Sequence, residues 1–377
     1  MLETFNLKPE AFGIDISDLS FKIIKLKKRG KSFKLASFGE FPIKPGVIEE
    51  GEIKDQKYLS NAIKESILKV KGARLKTKYV IASLPEEEAF SQVIQMPILE
   101  DEELAGAVRY EAENYVPFPV EEVYLDFQVV KPVYNHKDHL DLLISAIPKI
   151  TVNPYVQVLE KAGLKPLALE IESQATARAI IKNQLTPYPV LIIDLGATRT
   201  SFIVFSGYSL RFTFSIPVCG NTITEAISKT LEVPLDRAEK IKLAYDLSEE
   251  KDIIIKNGTE KKIRKEQIFE ILIPPLTDLI EQIKRYLNYY QAQSHQEHSP
   301  PNGKDIRKIL LCGGGANMKG VSEFLSQGLK MPVELGNPWI NILPEPKREI
   351  PEIPFEESLK YATALGLALR GAGYNND

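Results

Sequence analysis

The chain of 377 residues has few cysteines, no marked excess of either charge and no long apolar run. Its two cysteines, Cys219 and Cys312, lie far apart beside glycines in apolar segments, which favours buried thiols in a reducing compartment over a disulfide framework. The net charge is −3 and the pI is near 6.0. No basic field therefore indicates nucleic acid or an anionic membrane surface as the main partner.

The sequence also lacks the signals that direct a chain into or across a membrane. Its first residues, MLETFNLKPEAF, have neither the basic start nor the apolar core of a signal peptide. No uninterrupted apolar run approaches the roughly 20 residues of a membrane-spanning helix. We therefore expect a cytoplasmic protein, and 44% hydrophobic residues in a chain of this length predict a large core divided between two lobes.

The first segment of the chain alternates predicted strands and a predicted helix. Runs rich in β-branched and aromatic residues, FGIDI, FKIIKL and SFKLASFGEF, predict three neighbouring strands. Leu59, Ile63 and Ile67 then share one face of a helix predicted over residues 56–70, and YVIASL supplies the next buried strand. This order of elements predicts an α/β layer.

The next segment, residues 86–149, differs in composition and predicts a small inserted subdomain. An acidic, helix-forming stretch begins near Glu100 and ends at the PFP sequence of residues 117–119, because the prolines there cannot continue a helix. VYLDFQVV and LDLLISAI follow and predict two strands joined by a polar loop.

The second half of the chain repeats the pattern of the first. PVLIIDLGATRTSFIVF again places an apolar strand, an aspartate and a small polar turn before another strand, which indicates an internal duplication. Helices are predicted over residues 222–231, 235–245 and 268–292, and two prolines at 274 and 275 mark a candidate break in the last of them. KILLCGGGANMKG is a buried strand that leads into a glycine loop.

Two aspartate-bearing turns and a glycine loop together predict a cleft that holds an elongated anion. Backbone amides in turns of glycine or small residues can approach phosphate oxygens closely. Asp15 and Asp194, at the ends of the duplicated strands, are expected to hold Mg²⁺ through its water ligands, because this ion loses water reluctantly. Lys22, at the head of the second strand, is expected to neutralise the phosphate.

The order of these motifs resembles the superfamily of actin, sugar kinases and DnaK-type chaperone ATPases. GIDISDLSFK, DLGATRT and GGGAN are similar to its two phosphate loops and its adenosine loop, and AEKIK and EIESQATARA are similar to its ribose-contacting and connecting helices. The resemblance implies ATP and Mg²⁺ as cofactors, with Asp15 and Glu172 in catalytic or water-positioning roles. The nucleotide-binding residues that it implies are Gly13, Asp15, Ser17, Lys22, Asp194, Gly196, Thr198, Thr200, Glu239, Lys242, Gly313, Gly314, Gly315 and Asn317.

The implied fold class is α/β, an actin/DnaK-like ATPase fold of two lobes with duplicated ribonuclease-H-like cores and an FtsA-type inserted subdomain. The implied division of the chain is residues 1–85 for the core of the first lobe, with 150–188 and 356–371; 86–149 for the inserted subdomain; 189–220 and 303–355 for the core of the second lobe; and 221–302 for a helical subdomain of that lobe.

The stretch IQMPILEDEELAGAVRYEAENYVPFPVEEVYLDFQVV and the ending YATALGLALR are similar to the type IV pilus assembly PilM family, a relative of the division protein FtsA. This resemblance implies an ATP-binding scaffold that holds the N-terminal tail of the membrane protein PilN and, through PilN and PilO, connects the pilus motor to the inner membrane. Self-association is left open. Because the sequence ends at GAGYNND without the membrane-targeting tail of FtsA, we expect membrane contact through partners.

The resemblance implies that the PilN tail lies extended in a groove between the insert and the first lobe. In this binding mode backbone pairing supplies affinity and side-chain pockets supply specificity. Tyr110, Tyr115, Phe118 and Tyr124 are the candidates for the groove, although the insert also needs aromatic residues for its own core.

One departure from the family and two other functions stay open. Ser17 stands where the first loop of the PilM family usually has glycine, so its side chain either crowds a phosphate or donates a hydrogen bond to it. An active small-molecule kinase of the same fold is the main alternative, but no sugar-site signature or acceptor-side base is apparent. An FtsA-like division protein is the other alternative. We expect nucleotide binding with slow or no ATP hydrolysis.

Overall fold

The computed structural model describes residues 9–30, 32–131, 139–248, 253–257, 259–293, 305–343 and 350–374. Most of its strands belong to two large sheets. In chain order the strands are β1 Phe12–Ile16, β2 Ser20–Arg29, β3 Ser32–Pro42, β4 Ile48–Glu49, β5 Glu52–Ile53, β6 Lys71–Gly72, β7 Tyr79–Leu84, β8 Phe90–Met96, β9 Val123–Val129, β10 Leu140–Pro148, β11 Lys165–Ile171, β12 Thr186–Leu195, β13 Thr200–Gly207, β14 Ser209–Ile216, β15 Ile253–Asn257, β16 Thr259–Ile263, β17 Ile309–Cys312 and β18 Val333–Leu335.

Helices cover the faces of the sheets and connect their strands. In chain order they are α1 Gln56–Ser66, α2 Asp101–Ala112, α3 Lys149–Lys161, α4 Glu172–Ile180, α5 Gly220–Leu231, α6 Leu235–Ala244, α7 Lys265–Gln293, α8 Val321–Leu329, α9 Phe355–Ser358 and α10 Ala362–Gly371. Within the described ranges, none of these helices combines the length and the apolar character that crossing a bilayer requires.

The two large sheets share one topology. The first sheet has the strand order β11-β7-β1-β2-β3-β6, and the second has the order β18-β17-β12-β13-β14-β8-β10-β9. Each sheet contains three successive antiparallel strands, β1 to β3 in the first and β12 to β14 in the second. Two later strands then add in parallel beside the first of the three. The duplication predicted from the two hairpins therefore extends to five strands of each sheet.

The central strand β1 is buried on both faces because helices pack on each side of it. All five of its residues are buried. Phe12, Ile14 and Ile16 join a core that includes residues of α1 and α3. On the other face α10 passes so close that a Cβ atom on Gly13 would lie 2.7 Å from the carbonyl oxygen of Ala364. Helix packing therefore requires glycine at position 13.

The insert contributes strands to the second sheet. β8, which the sequence analysis did not predict, pairs with β10 and joins β14 at the single register pair Gln92 and Phe212. The three strands β8, β10 and β9 thereby extend the second sheet. Leu104, Val108 and Ala112 of α2 pack in one core with the insert strands. The sheet of the segment that the sequence predicts as a small inserted subdomain is thus continuous with the second sheet.

The predicted break at the two prolines of α7 is absent, and one helix runs through them from Lys265 to Gln293. A proline inside a helix costs about 3 kcal/mol or more. On the buried side of α7, however, Leu272, Leu276 and Ile283 are fully buried in the core of the second sheet. Burial of each such side chain contributes about 1.5–3 kcal/mol, so packing outweighs the local cost.

Candidate functional site

The turn between β1 and β2 brings a buried carboxylate and a buried ammonium together. Asp15 and Lys22 are direct partners in the antiparallel register, so their side chains share one face of the sheet. Lys22 Nζ lies 3.4 Å from Asp15 Oδ2, and Ser83 Oγ donates to Asp15 Oδ1 at 3.2 Å. The amide of Ile16 in turn donates to Ser83 Oγ at 2.8 Å. Strand β7 therefore fixes the orientation of Asp15.

Carboxylates crowd the region around this pair. Burial, reinforced by the negative charge of Asp15, raises the pKa of Asp194 to about 6, although Lys22 offsets part of the rise. Burial and the charges of Asp15, Glu87 and Asp194 raise the pKa of Glu172 well above its usual value. For Lys22, burial lowers the pKa, but the neighbouring carboxylates outweigh burial and raise it overall. The region thus holds more carboxylates than Lys22 can pair with, which disfavours the charged forms of Asp194 and Glu172.

The second aspartate turn, between β12 and β13, is closed by its own backbone. The amide of Gly196 donates to the carbonyl oxygens of Asp194, at 3.1 Å, and of Arg199, at 2.9 Å. A Cβ atom on Gly196 would lie 2.7 Å from the Arg199 oxygen, so a side chain does not fit. The amide of Gly220, at the start of α5, donates to the carbonyl of Gly196 at 2.9 Å. Helix α5 therefore supports the turn.

The glycine loop after β17 packs directly on the second turn. Gly313 has a φ of 84°, and a Cβ atom there would overlap the carboxylate of Asp194. A Cβ atom on Gly315 would lie 2.5 Å from the side chain of Leu195, whereas Gly314 faces open space. Glycines 313 and 315 thus permit close packing, and position 314 leaves room for a ligand.

The two turns and the glycine loop line one cavity of about 210 Å³. Ser17 of the first turn also lines this cavity, but its amide and its hydroxyl both donate to the carbonyl of Ser20, at 3.0 and 2.9 Å. Its side chain is therefore engaged in the turn itself. The predicted site residues that line this cavity are Asp15, Ser17, Lys22, Glu172, Asp194, Gly196, Thr198, Gly313 and Gly314.

Six predicted site residues do not line this cavity: Gly13, Thr200, Glu239, Lys242, Gly315 and Asn317. The hydroxyl of Thr200 donates to the carbonyl of Val218 at 2.6 Å. Lys242 is buried, and its Nζ donates to the carbonyl of Gly220 at 3.0 Å and pairs with Glu239 Oε2 at 2.7 Å. In the structure the predicted ribose-contacting pair therefore links α6 to α5, because the buried ammonium of Lys242 donates to acceptors on α5.

Sequence reasoning missed an ion pair across the cleft. Arg199, in the second turn, places its Nε 2.8 Å from Oε1 of Glu87, which follows β7 of the first sheet. Glu50 Oε1 lies 3.7 Å from the same guanidinium. These contacts join the first sheet to the turn of the second. The available signal was the arginine within GATRT, a charged residue in a turn otherwise made of small residues.

A larger cavity of about 640 Å³ lies between the insert and the first sheet. Five consecutive residues of β9, positions 124–128, line one side of it, and residues 169–171 of β11 line another. β9 is one of the two outer strands of the second sheet, and β11 is one of the two outer strands of the first. Two outer strands thus face one groove, which we call the edge groove.

Of the four predicted groove residues, Tyr124 lines the edge groove and the other three do not. The hydroxyl of Tyr124 donates to Asn153 Oδ1 at 3.1 Å. Tyr110 is 74% exposed and Tyr115 is 40% exposed, and Phe118 packs against the insert core. The reason is that α2 packs against the face of β10 that carries residues 142, 144 and 146, whereas residues 143, 145 and 147 line the groove.

Comparison with known proteins shows what this chain is similar to. A family model described as type IV pilus assembly protein PilM matches residues 13–372. A solved PilM-PilN type IV pilus biogenesis complex is 27% identical with a TM-score of 0.77, and the match covers 97% of this chain and 99% of that chain. MreB 5 of Spiroplasma citri bound to AMPPNP is 15% identical with a TM-score of 0.53, covering 95% of each chain. The fold is therefore the actin-like ATPase fold that the motifs predicted.

Among curated proteins the similarity is to the cell division protein FtsA. The protein of Neisseria meningitidis serogroup B is 28% identical over 185 residues, which cover 48% of this chain and 44% of FtsA. That of Escherichia coli K12 is 24% identical over 224 residues, which cover 56% of this chain and 50% of FtsA. The matched region spans about half the length of these relatives.

Proposed function

The chain belongs to the type IV pilus assembly protein PilM family, and we propose that it is a nucleotide-binding scaffold that holds the N-terminal tail of PilN in the edge groove. The observation that carries this proposal is the presence of two outer strands on one cavity of about 640 Å³. The similar PilM-PilN complex supports PilN as the partner. In this role the protein connects a membrane-bound partner to the pilus assembly platform.

An extended peptide suits the edge groove because outer strands have backbone groups that no neighbouring strand uses. Leu143, Ile147 and Val152 add apolar side chains to the lining. The peptide backbone would pair with a strand edge, and its apolar side chains would contact this lining.

One part of the edge groove carries positive charge. Arg178 donates two hydrogen bonds to the buried carboxylate of Glu170, and Arg370 NH1 lies 3.4 Å from the same carboxylate. All three side chains line the groove. Because two guanidiniums share one carboxylate, this part of the groove favours carbonyl oxygens or acidic side chains of the peptide.

The smaller cavity suits the phosphate end of a magnesium nucleotide. Its lining has more carboxylates than cationic side chains and therefore favours a bound cation, and Asp15 and Asp194 would hold Mg²⁺ through water. Lys22 and the open backbone at Gly314 would contact phosphate oxygens. When bound, Mg²⁺ neutralises phosphate charge. At 210 Å³ the cavity is smaller than the roughly 300–1,000 Å³ of typical small-molecule sites, so it accounts for the phosphates and not for a whole nucleotide.

Calorimetric titration of the full chain with a synthetic N-terminal peptide of PilN from the same organism tests the groove assignment. Tyr124→Ala is expected to weaken binding about tenfold, or about 1.4 kcal/mol, since aromatic contacts dominate peptide interfaces. Tyr110→Ala is the matched control, because Tyr110 is exposed on α2 and outside the groove. Equal affinities for the two variants, or a loss confined to Tyr110→Ala, would place the peptide elsewhere.

A further inference from the structure

A third cavity, of about 440 Å³, lies where the segment after β7 meets β14 and the C-terminal part of α7. Neither the PilN proposal nor the nucleotide proposal uses it. Its lining combines carboxylates with aromatic rings. The residues that matter here are Glu86, Glu87, Glu88, Phe212, Phe214 and Tyr289.

Glu86 has one carboxylate oxygen that the fold does not use. Its Oε2 accepts a hydrogen bond from the amide of Ser173, in the first turn of α4, at 3.2 Å. Its Oε1 is buried and accepts no hydrogen bond from any residue that the structure describes. The side chain is 4% exposed, and burial raises the pKa of Glu86, although the neighbouring Thr213 and Ser173 offset part of that rise. An unpartnered polar atom at such depth is costly, and a ligand with N–H groups would remove that cost.

The cationic side chains that line the cavity already have carboxylate partners. Arg199 pairs with Glu87 at 2.8 Å, and Arg211 NH1 lies 3.7 Å from Asp141, which is outside the lining. The carboxylates that these two guanidiniums contact are therefore Glu87 and Asp141, and not Glu86. The carboxylates of the lining outnumber its guanidiniums, so the cavity favours a positively charged ligand.

Aromatic rings complete a site for an organic cation. The rings of Phe212 and Phe214 have centroids 5.3 Å apart at an interplanar angle of 80°, and those of Phe214 and Tyr289 are 5.7 Å apart at 83°. These edge-to-face contacts fix the rings, and ring faces attract cations. A guanidinium suits both parts of the site, because it stacks on rings and donates parallel N–H bonds to a carboxylate.

We propose that this cavity binds a guanidinium group, with Glu86 Oε1 as its anchor and the rings of Phe212, Phe214 and Tyr289 as its walls. The group belongs either to a free small molecule or to an arginine side chain of a partner. Because Arg199 and Glu87 line both this cavity and the nucleotide cleft, occupancy of one is expected to alter affinity at the other, and the coupling must be reciprocal.

Titration of the full chain with agmatine, without nucleotide or PilN peptide, tests the site independently of the proposed function. Glu86→Gln keeps an oxygen for the Ser173 amide and removes the charge, so agmatine affinity is expected to fall about tenfold or more. Glu88→Gln, the same charge change at an exposed position of the lining, is expected to change affinity less than about threefold. Tyr289→Ala, which removes a 45% exposed ring, is expected to weaken binding without disturbing the core.

A second titration with N-acetyl-arginine amide separates the two sources of the group. Tighter binding than agmatine assigns the site to an arginine side chain, and weaker binding assigns it to a free small molecule. The proposal is overturned if neither probe binds at millimolar concentration, or if Glu86→Gln and Glu88→Gln have equal effects while Tyr289→Ala has none.

Discussion

Replacing Gly366 by alanine tests the close crossing of α10 over α4, the helix that begins at Glu172. A Cβ atom on Gly366 would overlap the carbonyl oxygen of Ala175 and lie 2.5 Å from its carbonyl carbon. The obstacle is helix backbone, so relief requires one whole helix to move. Alanine in a helix is favoured over glycine by about 1 kcal/mol, whereas overpacking of this kind costs about 3 kcal/mol. We expect a net loss of about 2 kcal/mol in the free energy of unfolding.

Guanidinium unfolding followed by circular dichroism and tryptophan fluorescence measures this loss. Trp339, the single tryptophan of the chain, is buried and packs in one cluster with Ala364, Leu365 and Ala368 of α10, so its emission reports on this packing. Gly106→Ala in α2 is the matched control, since a Cβ atom there meets nothing within 4 Å. The control is expected to be neutral or stabilising by up to about 1 kcal/mol. Equal stability of Gly366→Ala and wild type would refute the argument.

Three further predictions concern charged groups. Glu170→Gln is expected to cost about 3 kcal/mol in the free energy of unfolding, because Arg178 loses the partner of a buried pair; an unchanged denaturation midpoint would contradict this. Lys22→Met is expected to weaken binding of a fluorescent Mg·ATP analogue about tenfold, and undiminished affinity would remove Lys22 from the phosphate site. Glu87→Gln is expected to replace the 2.8 Å ion pair of Arg199 by its longer contact with Glu50 at 3.7 Å and so speed nucleotide association in stopped-flow mixing; an unaltered rate would show that the ion pair does not restrict the cleft.

The convergence of the three loops could be predicted from the sequence because polar and small residues stand out where apolar strands end. Asp15 and Asp194 follow matching apolar runs, and the shared topology brings both turns to one cavity. The predicted alternation of strand and helix was sufficient to predict that the loops converge. That prediction used local patterns within each half of the chain.

Features that depend on distant pairing could not be predicted in this way. The insert joins the second sheet through the pairing of Gln92 with Phe212. These residues are far apart in the chain, so no local sequence pattern predicts their contact. The AEKIK motif places Glu239 and Lys242 on adjacent turns correctly, but the direction of the ammonium depends on how α5 crosses α6. The choice of groove residues depends on distant packing as well, because α2 covers one side of the insert sheet: Tyr124 lines the edge groove, whereas Tyr110, Tyr115 and Phe118 lie outside it.

Hydrogen exchange of the full chain with and without the PilN N-terminal peptide tests the central claim most directly. If the tail pairs with an outer strand of the edge groove, backbone amides of β9 or β11 exchange more slowly when the peptide is bound, and those of α2 do not change. Protection confined to α2, or peptide binding with no protection at either strand, would contradict the account.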